Sequence, residues 1–176
     1  MKLRKQYLFA GWLGLLFLAA SLQAAPAKAP ESFHIGGDVA KAGDWNVQKI
    51  KHDFSKEVIT LKYDLKGKKY FSHCIPLLSF IQAAQPRFPE KGKHPELRFL
   101  VKVEGGDGYS IWFSMGELAP DFGARKVYLA LDVNNQPFQG KDAPVRLIVP
   151  GEKDYGRWIY GIKAITIVDA SNMKKR

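Results

Sequence analysis

A loop that contains two glycines carries the residues best suited to hold a ligand. Residues 150–160 read Pro-Gly-Glu-Lys-Asp-Tyr-Gly-Arg-Trp-Ile-Tyr and include the guanidinium of Arg157 and the indole of Trp158. Arginine donates hydrogen bonds in a planar fork, and aromatic rings stack on flat molecules. The segment therefore suits an anionic, flat, hydrogen-bonding ligand. The alternative, which periodicity alone favours, is an ordinary loop whose Trp158 belongs to the core.

Other residue types that carry chemistry form no recognisable motif. The four histidines lack the spacing of metal ligands on a helix. Cys74 follows His73, but strand neighbours point to opposite faces, so the imidazole is poorly placed to activate the thiol. We expect Cys74 to pack as a small residue before a helix, and a role as a metal ligand stays open. Glu152 and Asp154 could act as paired carboxylates, although a surface turn explains them at least as well.

Composition excludes several classes of protein. The chain has 176 residues, of which 46% are hydrophobic and 25% charged, so it is expected to fold as one packed domain. A single cysteine cannot form an internal disulfide. No phosphate-loop, dinucleotide or hydrolase pattern occurs, so nucleotide-binding and hydrolase functions gain no support. The net charge of +10 comes from scattered lysines and arginines, which argues against nucleic acid and suits a small anion, an acidic lipid surface or an acidic partner.

The first 27 residues have the pattern of a secretory signal peptide. Lys2, Arg4 and Lys5 precede an uncharged run at 7–22, and small residues follow at 24–27. The run is shorter than the roughly 20 residues that a membrane-spanning helix needs. The n-region lacks an arginine pair, which favours the general secretory route. We therefore expect a periplasmic protein with a linker at 28–32.

Alternating and helical patterns predict an α+β fold with mixed sheets and a few short helices. Helices are expected in a brief segment before residue 50, at 77–84 after Pro76, and through Leu118 from a capping box formed by Ser114 and Glu117. Strands are expected at 32–39, 58–65, 69–71, 97–103, 109–113, 126–133, 145–149 and 157–168.

Several blocks, taken in order, resemble the oxidoreductase molybdopterin-binding domain of sulfite-oxidase-like proteins. They are Gly-Asp-Trp-Asn-Val at 43–47, Ile-Pro-Leu-Leu at 75–78, Gly-Gly-Asp-Gly-Tyr-Ser-Ile-Trp-Phe-Ser-Met-Gly-Glu-Leu at 105–118, Ala-Pro-Val-Arg-Leu-Ile-Val-Pro-Gly at 143–151 and Gly-Arg-Trp-Ile at 156–159. The resemblance implies one sulfite-oxidase-like domain at 33–170, followed by a basic tail at 171–176.

The sequence departs from this family where its enzymes carry the cysteine that ligates molybdenum. That cysteine lies in an arm after an early strand, and this chain has Ile-Thr-Leu-Lys-Tyr-Asp-Leu-Lys-Gly at 59–67 instead. Cys74 stands at another position, that of a glycine in a Gly-Val-Pro-Leu turn. The resemblance therefore implies a non-catalytic member, similar to short secreted proteins that bind pterins and signal to a membrane partner.

By the same resemblance, the residues expected to bind the pterin or molybdopterin-like ligand are Asp107, Tyr109, Tyr155, Gly156, Arg157 and Trp158. Arg157 would donate to a pterin oxygen or phosphate, and an aromatic ring would stack on the bicycle. The stacking ring stays open among Tyr109, Trp112, Tyr155 and Trp158. Two alternative functions also stay open: a molybdopterin-dependent oxidoreductase or its accessory subunit, and a scaffold for protein interactions that binds no ligand.

Overall fold

The computed structural model describes residues 30–173, which form two β-sheets with short helices between their strands. The strands are β1 (Phe33–Gly37), β2 (Gly43–Trp45), β3 (Ile59–Leu65), β4 (Lys68–Pro76), β5 (Phe99–Gly105), β6 (Ser110–Ser114), β7 (Tyr128–Ala130), β8 (Arg146–Ile148) and β9 (Ile162–Asp169). The α-helices are α1 (Val47–Asp53), α2 (Leu77–Ala83) and α3 (Met115–Leu118). Short 3₁₀ segments lie at Pro95–Arg98, Gly140–Asp142 and Ala170–Asn172.

One sheet is mixed and the other is antiparallel. The five-stranded sheet has the order β2-β1-β9-β5-β6, in which β1 and β9 are parallel and the other neighbours antiparallel. The four-stranded sheet has the order β3-β4-β7-β8, and all its neighbours are antiparallel. The prediction of an α+β fold with mixed sheets and short helices is confirmed.

Local sequence explains how these elements begin and turn. In β5, alternate residues from Phe99 to Gly105 are buried, as expected of a strand with one face on the core. The turn between β3 and β4 consists of Lys66 and Gly67, both with positive φ, which is the backbone of a two-residue hairpin. Ser114 accepts a hydrogen bond from the Glu117 amide and caps α3, so the serine half of the predicted capping box is confirmed.

The hydrophobic core lies among the two sheets and helix α2. Leu77, Phe80 and Ile81 on α2 are buried at helical spacing, as the sequence predicted. The ring of Phe80 contacts the rings of Phe33 and Trp45 at centroid distances of 5.5 and 5.0 Å. These contacts join α2 to the five-stranded sheet.

Some predicted strands have different bounds in the structure. β4 extends from Lys68 through Pro76 where only 69–71 was expected, because it pairs with β3 and then with β7. Within the predicted strand at 126–133, only the three residues Tyr128–Ala130 form a strand, which is β7. The last strand begins at Ile162 instead of residue 157. Gly161 has a φ of +57°, and a Cβ there would meet the Lys141 carbonyl oxygen at 2.1 Å, so the chain bends before β9 begins.

The expected terminal segments lie mostly outside the described residues. Residues 1–27, the predicted signal peptide, are not described, and the predicted linker at 28–32 and tail at 171–176 are described only in part. Residues 171 and 172 continue the 3₁₀ segment that Asp169 caps. Between residues 30 and 173, no helix has the length and apolar character needed to cross a membrane.

Candidate functional site

The arginine at the centre of the candidate site belongs to β8. Its neighbours Val145 and Leu147 are fully buried, so the strand alternation turns Arg146 to the opposite face. Its guanidinium carbon lies 4.5 Å from the centroid of the Phe138 ring and 4.6 Å from that of Tyr160. The two cation–π contacts hold the side chain in place and leave it 16% exposed.

The hydrogen bonding of Arg146 is incomplete. Its Nη2 donates to the Asp142 carboxylate at 2.5 Å. Its Nε is buried and has no hydrogen-bond partner among residues 30–173. A buried donor without a partner costs about 1–3 kcal/mol. The protein therefore holds this cation by two rings and the Asp142 carboxylate.

Tyr63 on β3 extends this basic and aromatic region toward the hairpin. Burial raises the pKa of Tyr63, while its hydrogen bond with Ser72 and the charge of Arg146 act in the opposite direction. The hydroxyl oxygens of Tyr63 and Ser72 are 3.0 Å apart. The Tyr63 ring stacks on Tyr70 of β4 with centroids 5.8 Å apart. Tyr63 therefore lies near enough to Arg146 and Tyr160 for both to influence its pKa.

A cleft of about 580 Å³ opens beside Arg146 and is called the Arg146 cleft below. Its size lies within the range usual for small-molecule sites. Cationic, acidic and aromatic side chains meet there with two glycines. The lining residues are Pro30, Gly106, Asp107, Lys141, Asp142, Ala143, Arg146, Tyr160 and Gly161.

Two glycines bring Asp107 to this cleft. The Gly106 amide donates to the Gly161 carbonyl at 2.9 Å and joins the β5–β6 turn to the start of β9. Asp107 accepts from the Tyr109 amide through Oδ1 at 3.0 Å, which fixes the orientation of its carboxylate. Of the residues predicted to bind ligand, Asp107 is thus placed on the cleft wall.

Two other predicted residues, Tyr109 and Gly156, contact each other. The Tyr109 hydroxyl donates to the Gly156 carbonyl at 2.8 Å, although the Tyr109 residue remains 53% exposed. Tyr155, next to Gly156, places its hydroxyl 3.3 Å from the Asp64 carbonyl, which accepts from it. The loop at 150–161 is therefore tied both to the β5–β6 turn and to the β3–β4 hairpin.

Trp158 lies in the core, as expected if residues 150–160 form an ordinary loop. The residue is 7% exposed, and its Nε1 donates to the Val149 carbonyl at 3.1 Å. Its ring meets Tyr63 and Tyr155 edge to face, at centroid distances of 5.4 and 5.1 Å. An indole with its N–H satisfied and two rings packed against it is a structural group of the core.

Arg157 lies in a network of two arginines and two glutamates. Its Nη1 donates to Glu117 at 2.9 Å, and its Nε donates to Glu152 at 2.8 Å. Arg125 also donates to Glu152. The Arg157 guanidinium carbon lies 4.9 Å from the centroid of the Phe113 ring. The network fastens the loop at 150–157 to β6 and α3.

The network shifts the pKa values of its members. Burial by itself raises the pKa of Glu152, but the hydrogen bonds and charges of Arg157 and Arg125 outweigh it and lower that pKa. The hydrogen bond to Glu152 raises the pKa of Arg157 despite partial burial. Both groups are therefore charged over the physiological pH range.

Cys74 is part of the core. It is fully buried, and burial, with the nearby Asp132 charge, raises the pKa of its thiol to about 12. His73 on the same strand pairs instead with Asp132, with Nδ1 2.9 Å from the carboxylate. Among residues 30–173, no cluster of three or more histidine, cysteine or acidic side chains could hold a metal ion.

A second, larger cleft of about 810 Å³ shares Pro30 and Ala143 with the Arg146 cleft. Its polar side chains include Asn46, Lys51 and Asp132. Lys51 lies 3.5 Å from Asp132, so the cation and the carboxylate largely offset each other.

Sequence reasoning did not single out Arg146, Lys141 or Tyr160. A signal for Arg146 was available, because it is a lone cation inside the apolar run Val-Arg-Leu-Ile-Val at 145–149. No local sequence pattern marks Lys141 or Tyr160, because the bend at Gly161 brings them to the cleft. The ligand-binding roles predicted for six residues stay predictions: Asp107, Tyr109, Tyr155, Gly156, Arg157 and Trp158.

Comparison with solved structures shows a likeness of fold. No family model matches the chain, and no curated protein matches its sequence. The crystal structure of the sulfane dehydrogenase SoxCD from Paracoccus pantotrophus is similar, with a TM-score of 0.57 and 19% sequence identity. The match covers 83% of this chain and 40% of that chain, so this chain spans less than half the length of its structural neighbour. The protein thus shares its fold with part of that structure.

The side chains of this chain do not fit molybdenum held by a protein thiolate. Where the resemblance places the ligand arm, β3 runs directly into the two-residue turn at Lys66 and Gly67. Cys74, the single cysteine of the sequence, is a buried thiol with a raised pKa. A thiolate ligand requires a deprotonated and accessible sulfur.

Proposed function

We propose that this protein binds a pterin-like ligand in the Arg146 cleft and that it carries out no molybdenum chemistry through its own cysteine. The observation that carries the proposal is Arg146 itself, a cation on the cleft wall that two aromatic rings and one carboxylate hold in place. The likeness of the fold to a sulfane dehydrogenase supports a ligand of the pterin class.

The cleft side chains suit the edge of a pterin. A pterin ring presents acceptors at its carbonyl oxygen and ring nitrogen, and donors at its amino group and ring N–H. Arg146 can donate to the first pair, and the Asp107 carboxylate can accept from the second. Lys141 adds a positive charge for a phosphate or carboxylate substituent.

The proposed setting is the periplasm, with a membrane protein as the partner that senses the ligand. The signal-peptide pattern at 1–27 and the basic character of the chain support this proposal. The chain would then report ligand binding to the partner instead of converting the ligand.

A second candidate function is favoured by the fold likeness alone. In that case the chain is a molybdopterin-dependent oxidoreductase, or an accessory subunit of one, with the metal held by the pterin and not by a thiolate of this chain. A third candidate is a scaffold that binds no ligand. One experiment distinguishes the three candidates.

The experiment expresses the full chain with export to the periplasm, denatures the purified mature protein, and measures pterin fluorescence and molybdenum in the released fraction. Stripped protein is then titrated with pterin and with pterin-6-carboxylate. Pterin without molybdenum, or saturable binding by stripped protein, is the expected result. Equimolar molybdenum would establish the second candidate, and absence of both pterin and binding would leave the scaffold.

Two arginine variants show whether the ligand uses this cleft. Arg146→Ala removes a charge-assisted donor and is expected to weaken pterin binding by about tenfold or more. Arg98→Ala is the matched control, because Arg98 also pairs with a carboxylate, that of Asp169, but is not among the residues lining the cleft. Equal affinities for the two variants would contradict the proposed site.

A further inference from the structure

Strand β3 forms one edge of the four-stranded sheet. Among residues 30–173 it pairs with β4 alone, in a register that places Leu65 opposite Lys68 across the two-residue turn. In such a hairpin the closing pair exchanges hydrogen bonds, and hydrogen-bonded and non-bonded pairs then alternate along the strands. The backbone N–H and C=O groups of Thr60, Lys62 and Asp64 therefore point away from β4.

A contact in the structure agrees with this alternation. The outward carbonyl of Asp64 accepts a hydrogen bond from the Tyr155 hydroxyl at 3.3 Å. The loop at 150–161 thus covers the end of the edge nearest the turn. The outward groups of Thr60 and Lys62 remain available to a further strand.

The charged side chains of the β3–β4 hairpin determine which charge an added strand should carry. Lys62, Lys66, Lys68 and Lys69 are exposed, whereas Asp64 is the one acidic residue between positions 59 and 76. Lysines on an edge strand oppose pairing with another basic strand. A second copy of β3 that pairs antiparallel about Lys62 would bring lysine against lysine. The chain's own residues 24–29 contain Lys28, Pro26 and no acidic residue, so they are also unsuited to this edge.

A groove over the β3–β4 hairpin can take side chains of the occupant. It measures about 430 Å³ and is lined by Tyr63 and Tyr70 together with Lys62, Asp64, Lys69 and Phe71. Tyrosine rings with lysines at the rim suit apolar side chains flanked by carboxylates.

We propose that β3 is a docking edge for an extended, acidic segment of another protein, which adds to the four-stranded sheet as a fifth strand. Backbone hydrogen bonds to Thr60 and Lys62 provide the affinity, and the hairpin lysines select for acidic side chains. This inference goes beyond ligand binding and stands without it.

The test uses the purified mature protein and an eight-residue synthetic peptide that alternates glutamate with valine. The matched probe replaces each glutamate by lysine. Binding is followed by titration and by hydrogen exchange of the Thr60 and Lys62 amides. We expect saturable binding of the glutamate peptide and slower exchange of both amides. No binding, equal binding of the lysine peptide, or protection confined to other strands would overturn the proposal.

Two substitutions at one position separate backbone pairing from charge. Lys62→Pro removes an outward N–H that β4 does not use, and proline is tolerated on a free strand edge. We expect it to weaken peptide binding by about tenfold or more. Lys62→Ala keeps the N–H and removes only the charge, with an expected weakening of about twofold. Equal affinity of the proline variant and the native protein would overturn strand addition.

Far-UV circular dichroism and urea unfolding check that the variants are folded. If Lys62→Pro does not fold, Thr60→Pro makes the same test, because its amide also points outward. The titration does not involve pterin, so its failure is distinct from a failure of the proposed ligand site.

Discussion

Arg146 and Arg157 are partly buried arginines near the same loop, and they differ in what surrounds them. Arg157 donates to the carboxylates of Glu117 and Glu152, and these are shared with a second arginine. Arg146 has the Asp142 carboxylate and two aromatic rings, and its Nε has no partner among the described residues. Arg157 therefore fastens a loop, whereas Arg146 has one carboxylate partner and lies on the wall of a cleft.

This difference shows that the partners of an arginine, more than its presence in a conspicuous motif, decide what it can bind. A guanidinium between two carboxylates must lose those bonds before it can bind another anion. A guanidinium held by two rings and a single carboxylate has fewer such bonds to lose when a ligand arrives.

The packing of the loop that contains Arg157 depends on Trp158. Trp158→Ala leaves a cavity behind Tyr63 and Tyr155, and we expect the free energy of unfolding in urea to fall by about 3–5 kcal/mol. Trp158→Phe is the control, because it keeps an aromatic ring in the core and loses the five-membered ring of the indole with its bond to the Val149 carbonyl. A loss below about 1 kcal/mol for the alanine variant would show that the indole is not a core group.

Ligand affinity should separate the two arginines. We expect Arg146→Ala to weaken pterin binding by about tenfold or more, and Arg157→Ala by about threefold or less, through the loop alone. Isothermal titration with the same pterin measures both variants. The reverse order would make Arg157 the ligand donor and would contradict the contrast.

The network around Arg157 should make stability depend on acid pH. Because the pKa of Glu152 is lower in the folded than in the unfolded protein, its ionised form stabilises the fold above the ordinary value of 4.5. That contribution is lost as the pH falls through the folded-state pKa. We therefore expect the urea midpoint of the native protein to fall more between about pH 6 and pH 3 than that of Glu152→Gln. Parallel curves for the two proteins would count against the network.

The sequence predicted the fold well where local patterns act alone. The apolar spacing of Leu77, Phe80 and Ile81 predicted α2, the serine cap predicted α3, and Gly67 predicted the β3–β4 turn. These features depend on neighbours in the chain, so a sequence pattern contains them.

The candidate site could be predicted only in part, because long-range contacts build it. Asp107 was anticipated, and the hydrogen bond from the Gly106 amide to the Gly161 carbonyl brings it to the cleft. The expected strand at 157–168 missed the bend at Gly161, which depends on the approach of the Lys141 carbonyl. The same bend brings Tyr160 against Arg146. No local pattern contains that contact.

The most direct test of the proposed site is a titration of isotope-labelled mature protein with pterin, followed by NMR of the backbone amides. The proposal predicts saturable shifts at Asp107, Arg146 and Gly161, with smaller changes at 152–157. Shifts confined to 152–157, with Arg146 and Gly161 unchanged, would contradict it and place the ligand at Arg157.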